Sequence, residues 1–464
     1  MLKRFNIKNF LSFDAREDGR AEEFSMIAGK VRSNKGHLYD DGKVKLLKFA
    51  AVFGANAAGK SNLVKAMDFM QDTIVFGLPK GHTELYCKSD LKNKEKPSYF
   101  EVEILLNGHY YTYGYEIILS QSRFISEWLF ELHADNSEKL IFERDIEAKK
   151  IRLGSVLKDR KIADTMDVYA SDIKDDSTVL FLSFMNKNKK NFYLKFEKAH
   201  ILKDVYEWID DGLDIIFPDE PISDYSYLSK AENVKEICKI ISAFGTGITD
   251  YKMVDVQLEN VLETLPKYLR ERIAGEIEQK QVEHRQSNDD EKSVLIMRSK
   301  FDFFAITVSK DEKVKCQTIE FSHGKDGILF ELSEESDGTL RILDLLEVLL
   351  SKEGKTFVID ELDRCLHPSL TYKFVETFFK VAREKNIQLI VTTHESRLLD
   401  FDLLRRDEIW FVNKRGGGET DIYSLEEYNT RFDQKIDKAY LEGRYGGVPL
   451  FTAVFPVKAE GDSK

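Results

Sequence analysis

Residues Gly54-Ala55-Asn56-Ala57-Ala58-Gly59-Lys60-Ser61 spell G-x-x-x-x-G-K-S, and no other feature restricts so tightly what this chain can fold into. A strand-like run, Leu46 to Phe53, leads into the motif. A run with helical spacing, Leu63, Val64, Met67, Met70, Ile74 and Val75, leads out of it. Strand, glycine-framed turn and helix are together what a phosphate-binding loop requires. Gly54 and Gly59 let the backbone turn with no Cβ in the way, so the amides of Ala55, Asn56, Ala57, Ala58 and their neighbours through Asn62 converge on phosphate oxygens. The helix start adds partial positive charge. Lys60 supplies a point charge for the β- and γ-phosphates, and the Ser61 hydroxyl is placed to ligate Mg²⁺. Each hydrogen bond to a charged group is worth about 1.5–3 kcal/mol, so a loop donating several can hold a triphosphate.

Bulk properties narrow the surroundings of that loop. At 464 residues the chain exceeds one ordinary core and calls for two or three substructures. An apolar fraction of 42% beside a charged fraction of 32% describes a folded, water-soluble protein. No stretch is apolar and long enough to span a membrane, and Met1-Leu-Lys-Arg-Phe5 runs into a strand pattern without a secretory signal, so a cytoplasmic location is expected. A net charge of −12 argues against a surface that holds nucleic acid everywhere, while a local basic groove stays open. The run Asn186 to Lys190 is one candidate for such a groove, with a solvated loop as the plainer reading. Cys87, Cys238, Cys316 and Cys365 are scattered without C-x-x-C spacing, which suits reduced thiols and no metal or disulfide framework.

The order of patterns along the chain predicts an α/β protein whose sheet is split in sequence. Strands are expected at Leu2 to Ile7, Phe24 to Ala28 and into the loop, followed by a hairpin of Phe100 to Leu106 and Tyr110 to Leu119 around Asn107-Gly108. Between Ser120 and Phe321, strand-like ends enclose helical material, including Phe196 to Asp211 and Leu258 to Ile277, the latter interrupted by Pro266. Gln286 to Lys292 reads as a polar loop. Leu340 to Leu350 is apolar nearly all round, as a buried helix would be. Thr356 to Ile359, Gln388 to Thr392 and Glu408 to Val412 are short apolar runs of the kind found in buried parallel strands. The resulting division is a β-rich lobe over 1–120 with the phosphate loop, a mostly helical inserted lobe over 121–321, and a second α/β lobe over 322–464.

Three further elements complete a candidate site. Phe357-Val-Ile-Asp360-Glu361 is an apolar strand ending in two acids, the Walker B arrangement, in which Asp360 holds Mg²⁺ and Glu361 orients or polarises the attacking water. The next strand ends in Thr393-His394, whose imidazole at a neighbouring tip can donate to the γ-phosphate or the water. Ser336-Asp337-Gly338-Thr339 precedes the apolar helix. It is either a plain N-cap or a helix end that meets the γ-phosphate held by a second protomer.

This order resembles the P-loop NTPases of ABC type with SMC and RecF heads. Within them it looks most like the RloA family, ATPases often encoded in phage-defence or restriction-associated operons. The resemblance rests on Phe24-Ser-Met-Ile-Ala-Gly-Lys30, the loop from Phe53 to Asn62, Tyr113-Gly-Tyr-Glu116 with Ser126-Glu-Trp128, Ser336 to Thr339, Asp360-Glu361, Leu366-His-Pro368, Thr393-His394 and Tyr440 to Pro449. It implies ATP and Mg²⁺ bound between two head-to-tail copies. Lys60, Ser61, Asp360, Glu361 and His394 would form the cis site, Ser336 to Thr339 the trans signature, and Asp363 the link between sites. It further implies an effector such as an RloB-like or Toprim-type nuclease. The signature departs from Leu-Ser-Gly-Gly-Gln, and the coupling glutamine has no clear counterpart beyond Gln121. Other readings are a RecF-like clamp on DNA, a scaffold that binds ATP without turnover, and an OLD-like nuclease. The last is weakened because residues 395–464 offer no convincing Asp-x-Asp pair for a Toprim domain.

Overall fold

The computed structural model describes residues 1–133, 137–159, 161–223, 225–229, 234–286, 293–309, 313–324, 327–351, 354–428 and 436–444. The chain divides into two compact units, one built from Met1–Ile215, Lys352–Leu362 and Phe379–Lys464, the other from Ile216–Ser351 and Asp363–Phe378.

The sheet that carries the phosphate loop has six strands: β1 (Phe49–Gly54), β2 (Leu213–Ile216), β3 (Thr356–Ile359), β4 (Gln388–Thr392), β5 (Ile409–Lys414) and β6 (Thr420–Ser424), in the order β2-β3-β4-β1-β5-β6. The pairs β3-β4, β4-β1 and β1-β5 are parallel, and β6 closes the edge antiparallel to β5. Phe49, Ala50, Ala51, Val52 and Phe53 are wholly buried. A strand with no exposed face reads as a continuous apolar run, which is why the period-2 alternation of a half-buried strand is missing here. Helix α1 (Lys60–Val75) follows and buries Leu63, Val64, Met67, Met70 and Ile74, the face its spacing marks out.

A second sheet of the same unit has seven strands, all antiparallel, in the order 150–153, 138–145, 123–132, 109–118, 98–106, 2–8, 22–25. The expected hairpin is present. Leu106 faces His109, and both Asn107 (φ 52) and Gly108 (φ 78) are left-handed, as a two-residue primed turn demands. Gln388 joins the two sheets. Its buried amide accepts from Leu2 N (2.5 Å) and Thr356 Oγ1 (3.1 Å), and donates to Leu2 O and Leu47 O (2.9 Å each). The chain's first strand is thereby held to the strand that precedes His394.

In the second unit, strands 250–256, 314–322, 303–308 and 293–298 form an antiparallel sheet, with 330–331 beside 314–322. Helices 258–264 and 267–286 are separated at Pro266, and Val261, Ile273 and Ile277 pack with Ile306, Val308 and Cys316. Helix α2 (Asp337–Leu350) buries ten of its side chains, among them Arg341 and Asp344. Of the polar stretch 286–292, residues 287–292 lie outside the described residues. Among the described residues, no helix is long and apolar enough to cross a membrane.

Replacing Gln388 with Leu strands the Leu2 amide and the Leu2 and Leu47 carbonyls. At about 1–3 kcal/mol for each buried group left unsatisfied, partly relieved by relaxation, the expected loss is about 2–4 kcal/mol. A urea unfolding midpoint unchanged from the parent protein would refute this.

Candidate functional site

Parallel strands in register bring their carboxyl ends to one edge of the sheet. Ile359 lies opposite Val391 and Thr392 opposite Val52, so Asp360, Thr392 and the loop after Gly54 emerge side by side. The loop itself is shaped by close packing. A Cβ on Gly54 would stand 2.8 Å from the Val412 carbonyl oxygen, and one on Gly59 would run into the Thr420 side chain. Gly59 also has φ 117, which an L side chain rarely adopts. Ala57 is left-handed as well, at φ 62. Lys60 is buried, and its Nζ donates to Gly54 O (2.8 Å) and Ala55 O (3.2 Å), spanning the mouth of the turn. No side chain caps the start of α1, so its first amides keep the positive end of the helix for a ligand.

The two acids sit where the sequence pattern sets them. Asp360 is 3% exposed and accepts a hydrogen bond from the Thr392 hydroxyl. The same Thr392 oxygen accepts from the Glu361 amide at 2.8 Å. Glu361 is held at φ 51, a left-handed conformation costing about 1–2 kcal/mol for a non-glycine residue. This strain lies at the residue assigned to the attacking water, and such outliers cluster at working sites. Ser61 in the first turn of α1 and Asp360 supply a hydroxyl and a carboxylate, the hard oxygen donors that Mg²⁺ takes. Among the described residues, no group of three or more His, Cys, Asp and Glu is placed to hold a metal. His394 is exposed two residues beyond β4, while Thr393 N is tied to Val52 O at 3.1 Å, which anchors the histidine's backbone to β1.

Several contributors were not singled out from the sequence. Thr392 is one. Another is Ser12, which accepts from Asn62 Nδ2 (2.8 Å) and from the Thr420 hydroxyl (2.7 Å), while Thr420 Oγ1 also reaches Ala58 O (2.8 Å). Ser12 stands far before the loop and Thr420 far after it, in no recognisable motif, so only folding brings them to Asn62. Tyr440 packs on Phe53 (5.9 Å between rings) and Phe411 (5.6 Å), and burial raises its phenol above the ordinary value. Of the stretch 440–449, residues 445–449 lie outside the described residues.

The other residues that the sequence pattern marks out belong, apart from Gln121 and the basic run, to the second unit. Ser336 is the N-cap of α2 and its hydroxyl accepts from Thr339 N at 3.1 Å. Ser336 and Asp337 are exposed, Gly338 is half-buried and Thr339 is buried. A Cβ on Gly338 would lie 3.1 Å from Cys365 O, so glycine keeps this turn close to the segment after Asp363. Asp363 is half-buried. Gln121, in the first unit, is exposed and accepts from Arg123 Nε at 3.2 Å. Of the basic run, Lys187, Asn188 and Lys190 are exposed, while Lys189 lies over the Phe184 and Tyr169 rings at 4.4 and 4.9 Å.

A family profile described as "AAA domain, putative AbiEii toxin, Type IV TA system" matches residues 49–400, which contain every site residue above except Ser12, Thr420 and Tyr440. Among solved structures, the chain is similar to an SMC head bound to the C-terminal winged-helix domain of ScpA. That match has 14% identity, covers 91% of this chain and 97% of the other, and has a TM-score of 0.42. It is also similar to an SMC head domain from Thermotoga maritima at 14% identity, with 91% and 98% coverage and a TM-score of 0.34. No curated protein matches the sequence.

Thr392→Val removes the two hydrogen bonds that the Thr392 hydroxyl makes to the acidic pair while keeping the side-chain volume. Loss of one charge-assisted hydrogen bond corresponds to roughly tenfold or more in affinity, so Mg²⁺-dependent nucleotide binding should weaken by that factor. Thr392→Ser should restore it. Equal Mg²⁺ dependence in the Val variant and the parent protein, measured by calorimetry, would remove Thr392 from the site.

Proposed function

This chain belongs to the AAA_21 family of AAA domains and carries a P-loop ATPase fold, and from that membership we propose that it hydrolyses ATP as a dimerising switch. The observation that carries the reading is the shared sheet edge, where buried Asp360 follows β3 and buried Lys60, the first residue of α1, reaches back to Gly54 O at the end of β1, with only β4 between the two strands. In the proposed cycle the loop amides from Gly54 to Asn62 and the Lys60 ammonium bind the β- and γ-phosphates. Ser61 and Asp360 would hold Mg²⁺, which screens the charge of the phosphate oxygens. Glu361 orients or polarises the water, and His394 donates to the γ-phosphate or to that water. Loss of the γ-phosphate then removes the contacts that favour the closed pair.

The second half of the composite site is Ser336 to Thr339 of another copy, with Asp363 linking the two sites. Support comes from the exposure of Ser336 and Asp337 at the start of a long helix, where amides and partial charge favour an anion. The biological setting we propose is cytoplasmic anti-phage defence, as in the RloA-type operons, with an effector such as an RloB-like or Toprim-type nuclease. The surface that meets that effector is proposed to lie in the segment 121–321, of which 121–215 belongs to the first unit and 216–321 to the second. A DNA-clamping role of the RecF kind is the second reading, and its mark would be DNA binding that is steeply salt-dependent only with ATP.

Two experiments test the switch. Glu361→Gln should retain ATP binding and lose multiple-turnover hydrolysis by a factor of about 10² or more. Undiminished turnover would remove this residue from its assigned role. Mixing tests the shared site: Lys60→Ala and Ser336→Arg chains should each be inactive alone. Together they should regain up to half the parental rate, because one of the two sites in a mixed dimer carries neither change. No recovery on mixing, with both chains folded, would rule out the head-to-tail pair.

A further inference from the structure

We propose that Ser12 is a positioning residue for the nucleotide, acting through Asn62 and Thr420 on the part of the phosphate loop that carries Lys60 and Ser61. This role rests on the ATPase reading and adds to it a residue that lies outside every motif of the site.

Three links join the two ends of that part of the loop. Asn62 Nδ2 donates to Ser12 Oγ (2.8 Å), Ser12 Oγ and Thr420 Oγ1 lie 2.7 Å apart, and Thr420 Oγ1 reaches Ala58 O at 2.8 Å. The Asn62 amide and the two hydroxyls supply one donor proton for each link, so all of them can be made at once. Ala58 precedes Gly59-Lys60-Ser61 and Asn62 follows it, so the links close a ring around those residues. The far side of the ring is tied as well, by Thr420 N donating to Ser12 O at 2.7 Å. Lys60 and Ser61 project from the backbone between the two anchors, and a shift of that backbone stretches the ring.

A second observation comes from the turn that presents Ser12. Phe10 N donates to Phe13 O (2.9 Å) and Phe13 N to Phe10 O (2.8 Å), which puts Leu11 and Ser12 at the tip. Asn9 (φ 54) and Leu11 (φ 51) are both left-handed, a region that asparagine visits readily and leucine does not. The surroundings enforce it. Phe10 and Phe13 are wholly buried, and Leu11 N donates to Leu85 O at 2.6 Å. Buried Asn9 accepts from Cys87 N (3.1 Å) and donates through Nδ2 to Asn93 O (2.9 Å) and Lys96 O (3.0 Å). Backbone strain that persists because its neighbours over-determine it clusters at working sites. Here the tip of the strained turn bears the hydroxyl that reaches the phosphate loop.

Steady-state ATP hydrolysis by the full chain at saturating Mg²⁺ separates positioning from mere support of the fold. Lost support lowers the active fraction, and so kcat, while KM stays. A residue that shapes the binding loop acts on ground and transition states alike, which moves KM and spares kcat. Ser12→Ala, which breaks two of the links, should raise KM roughly tenfold and leave kcat within about twofold. Ser12→Thr, which keeps the hydroxyl, should return KM to the parental value. Thr420→Val shares one broken link with Ser12→Ala, so the double variant should fall short of the roughly hundredfold product expected of independent effects. With the parent chain active, an unchanged KM after Ser12→Ala, a lower kcat at parental KM, or full multiplication in the double variant would overturn this role and leave the ATPase reading standing. A parent chain that neither hydrolyses nor binds ATP would defeat that reading and this role together.

Discussion

The passage from β1 into α1 is the constraint on which the site depends. The chain must leave a strand buried on both faces, reverse within a few residues, and start a helix whose first amides have no cap. Its two glycines are fixed from outside the loop, by Val412 on the neighbouring strand and by Thr420 on the edge strand. Two late strands, β5 and β6, thus shape a turn near the start of the chain. Ser12 and Asn62 complete the enclosure through the Thr420 hydroxyl. The loop holds its form because three distant segments close on it, and Lys60 bridges its mouth from within.

The acidic side of the site is organised by a hydroxyl. Thr392 stands one strand from Asp360 because β3 and β4 are parallel and in register, and its single oxygen serves as donor to the carboxylate and acceptor for the next amide. This pairing aims Asp360 and holds Glu361 in a left-handed conformation that the residue would not choose alone. Preorganisation of this kind fixes the two carboxylate-bearing residues before any ligand arrives.

Much of this was legible in the sequence, for a physical reason. Elements buried on both faces show themselves as apolar runs, so β1, β3, β4 and α2 could be located from composition alone. The turn at Asn107-Gly108 could be located because only a left-handed pair fits a two-residue hairpin. Asp360 and Glu361 follow a run that can only be a buried strand. Thr392, Ser12 and Thr420 were not legible as site residues, because a hydroxyl acquires its role from register and from loop closure over hundreds of residues. Neither leaves a local pattern.

The backbone that follows Asp360 is fixed by a single residue of β4. Asp360, Glu361 and Leu362 belong to the first unit, and Asp363 begins a stretch of the second. Here the chain passes from one unit into the other. Leu362 N is bonded to Thr392 O at 3.0 Å and Glu361 N to the Thr392 hydroxyl, so the last two residues before the passage are both held by one residue of β4. The left-handed Glu361 backbone is thus clasped from one neighbouring strand, its own amide by the Thr392 hydroxyl and the following amide by the Thr392 carbonyl.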